Sequence, residues 1–133
     1  MLLPVLDDGR IVLIRNRRFS IDRVLLELPA GTLEGDDPVE TARRELTEET
    51  GYECARLDPL GSFYASPGFC DEVMHAFVAR DLTAGRQALD PTEEIEVVAM
   101  RMGEIDAAIR SGELVDGKTL ATLQLWSLRA PGG

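Results

Sequence analysis

The chain has 133 residues, a length that fits one domain with a sizeable core. Hydrophobic residues make up 44% of it and charged residues 29%, which excludes wholesale disorder. The 24 acidic and 14 basic residues give a net charge of -10, and this field opposes binding of a nucleic acid polymer. The sequence shows no signal peptide, no membrane span and only two cysteines, so it predicts a cytoplasmic protein.

The N-terminal part of the sequence predicts strands joined by tight turns. Residues 2–6 and 11–15 are rich in Leu, Val and Ile, and the Asp-Gly pair between them is a hairpin signal. Residues 23–28 form another apolar run, which ends at the Pro-Ala-Gly turn at 29–31. We therefore expect an opening hairpin, then a third strand and a polar loop.

The clearest helix of the sequence follows this loop. Asp37 suits the N-cap position, Pro38 suits the first helical position, and Gly51 suits the left-handed residue that ends a helix. The spacing of the apolar residues predicts one core-facing stripe, formed by Val39, Ala42 and Leu46. The opposite face, which carries the charged residues, is left for chemistry.

The rest of the chain alternates strand and helix signals. Residues 60–66, 73–79 and 95–101 have strand composition, and helical spacing recurs before Gly112 and again before Pro131. Strands interleaved with helices favour a mixed sheet with helices on its faces. We expect one α/β domain over residues 1–133.

Three carboxylates of the predicted helix point to a metal site. Glu45, Glu48 and Glu49 stand at i, i+3 and i+4, so they share one face and repel one another without a cation. Mg²⁺ prefers oxygen ligands and is usually completed by substrate phosphates. The alternative is an exposed ion-pair ladder, because Glu40, Arg44 and Glu48 follow one another at i, i+4 spacing.

This segment resembles the box of the Nudix hydrolase family, Arg-Glu-aliphatic-x-Glu-Glu-x-Gly-aliphatic. The matching positions are Arg44, Glu45, Leu46, Glu48, Glu49 and Gly51. Tyr52 replaces the last aliphatic residue, Asp36 stands where the family has an isolated glutamate, and the loop from Gly31 to Asp36 is one residue short. The resemblance implies an α/β/α sandwich around a mixed β-sheet.

Segments outside the box are similar to the ADP-ribose pyrophosphatase branch of that family. They are Glu-Leu-Pro-Ala-Gly at 27–31, Ser-Pro-Gly-Phe-Cys-Asp-Glu at 66–72, with Pro67 sixteen residues after Gly51, and Arg-Asn-Arg-Arg-Phe at 15–19. The resemblance implies hydrolysis of ADP-ribose to AMP and ribose 5-phosphate with Mg²⁺, or Mn²⁺ in its place. It also implies a homodimer.

The resemblance also implies roles for individual residues. The metal ligands would be the Ala30 carbonyl, Glu45, Glu48 and Glu49, with Glu48 and Glu49 also counted as catalytic. Arg44 would orient the glutamates, and Glu72 would be a further ligand or the general base. The residues expected to contact substrate are Arg18, Glu27, Pro67 and Gly68. Arg17 is the alternative to Arg18, since either arginine could reach the pocket.

Two other functions stay open at this point. The substrate could be another nucleoside diphosphate sugar or an oxidised nucleoside triphosphate, because the base and sugar are contacted by residues outside the box. The chain could instead be a regulatory module that binds a nucleotide without cleaving it. All these functions share a small nucleotide-like ligand as partner.

Overall fold

The computed structural model describes residues 1–33, 35 and 37–129. In chain order its elements are β1 (Leu2–Pro4), β2 (Ile11–Arg18), a 3-10 turn (Phe19–Ile21), β3 (Arg23–Glu27), α1 (Pro38–Thr50), β4 (Glu53–Tyr64), β5 (Val73–Thr83), β6 (Ile95–Met100), α2 (Met102–Ser111) and α3 (Gly117–Arg129). The predicted α/β class is confirmed. None of these helices is long and apolar enough to cross a membrane.

The described strands form two three-stranded sheets. The first has the order β1-β5-β4, with β1 parallel and β4 antiparallel to β5, so it contains the mixed pairing that was expected. The second has the order β3-β2-β6 and is antiparallel throughout. The central strand β2 therefore lies between β3, which leads into the loop before α1, and β6, which follows the segment that ends at residue 94.

The predicted opening hairpin is wrong in its pairing. The turn forms, with the Leu6 N–H donating to the Arg10 carbonyl at 2.8 Å, but the β-pairing across it is one isolated bridge, between Val5 and Ile11. After it β1 pairs with β5 and β2 pairs with β3 and β6. All three residues of β1 and the first four of β2 are buried, and such strands need covering on both faces. Placing β1 and β2 in separate sheets covers both faces of each strand, whereas an isolated hairpin would leave one face open to solvent.

The predicted bounds of α1 are confirmed. Asp37 caps the helix by accepting a hydrogen bond from the Val39 N–H at 3.0 Å, and Pro38 is its first residue. Gly51 has a φ of 80° and donates its N–H to the Thr47 carbonyl at 2.8 Å. These signals are local, so the sequence alone reveals them. Val39 is 38% exposed, however, so it does not belong to the core stripe as predicted.

Helix α1 rests on the first sheet. Its Ala42 and Leu46 pack with Leu2, Phe77 and Ala79 in a small apolar cluster. A larger cluster joins both sheets to α2 and α3; its fully buried members include Leu3, Ile11, Leu13, Leu28, Ile105 and Leu114. Packing on one face leaves the opposite face of α1 turned towards the ends of β2 and β3.

Candidate active site

A cleft of about 310 Å³ lies beside the charged face of α1, and we call it the acid cleft. Six of the predicted site residues line it: Arg18, Ala30, Arg44, Glu45, Glu48 and Glu49. They come from the end of β2, from the turn after β3 and from α1. Residues far apart in sequence thus meet at one place, and most of the predicted metal and catalytic set is among them.

Glu49 lies at the buried end of the acid cleft. It is 5% exposed, and its Oε2 accepts a hydrogen bond from the Ala30 N–H at 3.2 Å. Burial, followed by the negative charge of Glu45, raises the pKa of Glu49 to about 8, although the Ala30 N–H opposes the shift. The ionised form of Glu49 is therefore disfavoured here, because burial and the charge of Glu45 outweigh the hydrogen bond from Ala30.

Glu45 lies against the backbone of Gly31. A Cβ atom on Gly31 would stand 2.1 Å from the Cγ of Glu45, a distance that real side chains do not tolerate. Glycine permits this close approach, and any larger residue would force the Glu45 side chain to move. Burial and the neighbouring Glu48 raise the pKa of Glu45, although Arg44 opposes this. The carboxylate therefore lies among several negative charges, with Arg44 acting in the opposite direction.

Arg44 and Glu48 form the outer part of the same helix face. The Nε of Arg44 is 3.9 Å from Oε1 of Glu48, and both side chains are more than 40% exposed. An exposed i, i+4 pair of this kind contributes little stability. The ion-pair ladder weighed as an alternative accounts for this pair, but it does not account for the buried Glu49.

Arg18 reaches the acid cleft from the end of β2. Its Nε and Nη2 donate to the two carboxylate oxygens of Glu27 at 2.8 and 2.6 Å. These bonds are the largest influence raising the pKa of Arg18. Arg17, the alternative, instead pairs with Asp22 and lies 5.7 Å from the ring centre of Phe19. Arg18 is thus the one of the two that faces the cleft.

Glu72, Pro67 and Gly68 lie elsewhere, on the exposed segment between β4 and β5. Glu72 lines two neighbouring cavities of about 280 and 320 Å³, and the first of these shares Gly31 and Thr32 with the acid cleft. The structure therefore does not bring Glu72 together with the α1 glutamates. Glu27 is 2% exposed and its carboxylate is occupied by Arg18. The predicted substrate and catalytic roles of these residues stay predictions.

The sequence comparison assigns the family. A model of the Nudix domain matches residues 1–123. The chain belongs to the Nudix family. It is 38% identical over 131 residues to an ADP-ribose pyrophosphatase of Bacillus subtilis and 37% identical over 131 residues to a methanol dehydrogenase activator of Bacillus methanolicus. Each alignment covers 96% of this chain and 71% of the relative. The family match and the Bacillus subtilis relative together identify a Nudix pyrophosphohydrolase.

Further relatives extend the range of substrates within the family. A GDP-mannose pyrophosphatase of Yersinia enterocolitica is 38% identical over 127 residues, which cover 88% of this chain and 66% of that protein. The crystal structure of an ADP compounds hydrolase superposes with a TM-score of 0.85 at 23% identity, covering 96% of this chain and 69% of that one. This structure supports the Nudix fold.

Two acidic residues of the acid cleft were not among the predicted site residues, although the run Glu93-Glu94-Ile95-Glu96 is also similar to the ADP-ribose branch. Asp90 and Glu93 line the cleft opposite the Nudix helix α1, and the charge of Glu93 contributes to the raised pKa values of Glu45 and Glu49. The available signal was the acidic run just before β6. Nothing in its spacing from the box shows that it folds back onto α1, because that depends on tertiary structure.

The segment carrying these acids is tied to the end of the Nudix helix. The Ala88 N–H donates to the Glu48 carbonyl at 2.8 Å, and the Gln87 side chain donates to the Glu49 carbonyl at 2.7 Å. A Cβ atom on Gly85 would lie 2.7 Å from the Gly51 carbonyl oxygen, so the two backbones are in close contact. Helix-end carbonyls that lack a partner within α1 are satisfied in this way.

The oxygen ligands available in the acid cleft fit a hard divalent cation. Carboxylates and a backbone carbonyl are the oxygen ligands that Mg²⁺ prefers. Crowded carboxylates with raised pKa values are also the arrangement that a cation would relieve. Within the described residues, no group of three or more His, Cys, Asp or Glu side chains is arranged as a ready metal site. Asp36, the acid of the shortened loop, lies outside those residues.

Proposed function

We propose that this Nudix pyrophosphohydrolase cleaves ADP-ribose to AMP and ribose 5-phosphate. The observation that carries the proposal is the convergence of Glu45, Glu48 and Glu49 with Arg18 in one cleft. A cationic group and carboxylates that can hold a metal, lining one cleft, suit the binding of a pyrophosphate. The substrate is supported by the Bacillus subtilis relative, which is an ADP-ribose pyrophosphatase.

The proposed cofactor is Mg²⁺, with Mn²⁺ as its substitute, and the proposed ligands are Glu45, Glu48, Glu49 and the Ala30 carbonyl. When bound, such an ion neutralises phosphate charge and lowers the pKa of a coordinated water. The net charge of -10 adds to the need for it, because the protein by itself would repel a pyrophosphate. Gly31 supports this ligand set by leaving room for Glu45.

The side chains of the chain supply orientation and proton transfer. Arg18, held by Glu27, would donate hydrogen bonds to phosphate oxygens. Arg44 would keep Glu48 in place. In the reaction the oxygen of a water attacks one phosphorus, the bridging P–O bond breaks, and the water proton passes to a carboxylate base. We propose Glu93 as this base because it lines the cleft, with the predicted Glu72 as the alternative.

A second candidate substrate is GDP-mannose, which is supported by the relative from Yersinia enterocolitica. The acid cleft cannot distinguish it from ADP-ribose, since both offer the same pyrophosphate to the box. A regulatory role without turnover has a different support. The relative from Bacillus methanolicus is a methanol dehydrogenase activator.

The deciding experiment is product analysis with ADP-ribose, GDP-mannose and 8-oxo-dGTP, each with Mg²⁺ and with chelator. We expect metal-dependent release of AMP and ribose 5-phosphate, with ADP-ribose the fastest substrate. Faster turnover of GDP-mannose would change the substrate and keep the chemistry. Nucleotide binding without turnover of any compound would instead favour the regulatory module. The variant E49Q is the control for contaminating hydrolases.

The assembly and location are part of the same proposal. We infer a homodimer in the cytoplasm from the resemblance to the ADP-ribose branch, with residues 1–133 as one Nudix domain. Light scattering coupled to size exclusion measures the assembly directly. A mass equal to one chain across the working concentration range would contradict the dimer.

A further inference from the structure

The segment that follows β3 supplies two parts of the proposed site. β3 ends at Glu27, which holds Arg18, and three residues later Ala30 contributes its N–H to Glu49. The position of both groups therefore depends on how the backbone between them is fixed. Sheet pairing does not do this, because the register of β2 with β3 stops at Glu27.

Two hydrogen bonds from outside the sheet hold this backbone. The Leu2 N–H donates to the Pro29 carbonyl at 2.9 Å, and the Leu28 N–H donates to Oγ1 of Thr119 at 2.9 Å. Thr119 belongs to α3, is 0% exposed and does not line the acid cleft. A buried side chain of the last described helix thus fixes the residue two positions before Ala30.

Asp116 determines which way the Thr119 hydroxyl points. Its Oδ2 accepts the hydroxyl hydrogen of Thr119 at 2.7 Å and the Thr119 N–H at 3.0 Å, while Lys118 donates to Oδ1 at 2.9 Å. Burial alone would raise the pKa of Asp116, but these hydrogen bonds outweigh it and lower the pKa. An ionised carboxylate only accepts hydrogen bonds, so the hydroxyl donates to Asp116 and leaves a lone pair for the Leu28 N–H.

We propose that Thr119, oriented by Asp116, is a positioning residue of this enzyme that sets the place of Ala30 and of the Glu27–Arg18 pair. The inference rests on the proposed function, in which the Ala30 carbonyl is a metal ligand. Groups that hydrogen-bond to and orient metal ligands change the metal affinity by roughly 10- to 100-fold when they are removed. Thr119 acts in this way without touching metal or substrate.

The test compares two buried threonines of the same helix. T119V removes the hydroxyl that holds Leu28 and keeps the side-chain shape. T122V is the matched control, because Thr122 is also 0% exposed but its hydroxyl contacts the Lys118 carbonyl and the Met1 sulfur. T119S retains the hydroxyl. Each full-length variant is titrated with Mn²⁺ alone by calorimetry, and exchange of the Leu28 amide is measured in the metal-free protein.

We expect T119V to weaken Mn²⁺ binding by roughly tenfold or more and to speed exchange of the Leu28 amide. T119S and T122V should match the wild type in both measurements. Unchanged Mn²⁺ affinity in T119V, or an equal loss in T122V, would overturn the proposal. Should T119V not fold, T119C takes its place, since a thiol is a weak donor and acceptor.

The measurements also separate this inference from the proposed substrate. The Mn²⁺ titration contains no nucleotide, so a failure of ADP-ribose hydrolysis leaves its result intact. If the wild type binds no Mn²⁺, the proposed metal site is wrong. Exchange of the Leu28 amide would then decide alone, and a rate unchanged in T119V would overturn the positioning role.

Discussion

Arg18 and Glu27 form a two-bond ion pair in which one partner is open and the other closed to solvent. The Arg18 side chain is 42% exposed, whereas that of Glu27 is 3% exposed. The buried carboxylate therefore orients a guanidinium that still has donors free to turn towards a ligand, because arginine carries five N–H groups. The pair is consistent with the proposed role of Arg18 at the substrate, and Glu27 need not touch the substrate to support that role.

The first prediction concerns this pair. R18K should raise KM for ADP-ribose about tenfold, because an ammonium group cannot reproduce the bidentate geometry that orients the side chain. R18Q should also lower the free energy of unfolding by about 1–3 kcal/mol, since the buried Glu27 loses its charged partner. Steady-state kinetics and urea unfolding measure the two effects. R17K is the control, and an equal effect there would contradict the assignment.

The second prediction concerns Gly31. G31A should lower kcat at least about 100-fold and weaken Mg²⁺ binding, because the added methyl group would overlap Glu45 and displace a proposed ligand. Calorimetric titration with Mg²⁺ and a kinetic assay test it. G103A is the matched control, since a Cβ atom there would meet nothing within 4 Å. If G31A binds Mg²⁺ normally, Glu45 is not a ligand.

The third prediction is a pH dependence of stability in the metal-free protein. The folded pKa of Glu49 is about 8, against 4.5 for a glutamate in the unfolded chain, so between these values the folded state binds more protons than the unfolded state. Stability from this group is present below pH 4.5 and is lost as the pH rises through 8. E49Q should remove about 2–4 kcal/mol of this change. Urea unfolding in chelator at pH 5 and pH 8.5 measures it, and parallel curves for both proteins would refute it.

The fourth prediction separates the two proposed bases. E93Q should reduce kcat by about 100-fold or more, because a general base contributes roughly this amount and Glu93 lines the acid cleft. E72Q should reduce it less, since Glu72 faces the neighbouring cavities. Rates with saturating ADP-ribose compare them, with the exposed Glu53 changed to Gln as a control. A larger loss of kcat in E72Q than in E93Q would instead identify Glu72, in the loop between β4 and β5, as the base.

The sequence predicts those parts of the molecule that depend on neighbouring residues. Asp37, Pro38 and Gly51 define α1 because capping and the left-handed glycine are local effects. The Nudix spacing then predicts which face of α1 carries chemistry, and the acid cleft lies on that face. The α/β class follows from the alternation of strand and helix patterns.

What the sequence could not reveal depends on distant contacts. The Asp-Gly turn predicts a hairpin, but pairing of β1 with β5 decides where the first strand lies. Glu93 joins the cleft because Gln87 and Ala88 bond to the end of α1, and no local pattern encodes that contact. Glu27 was expected to contact the substrate. Its burial and its pairing with Arg18 depend on the folded structure, so the sequence could not reveal them.

The contact between Gly51 and Gly85 has a consequence for how this site tolerates mutation. Gly85 lies outside the box, yet any side chain on it would press on the Gly51 carbonyl and separate α1 from the segment that carries Asp90 and Glu93. The close approach of this segment to α1 thus requires that two positions lack a side chain, one inside the family motif and one outside it. A substitution of Gly85 should therefore disturb the site as a substitution within the motif does, although Gly85 is not part of the motif.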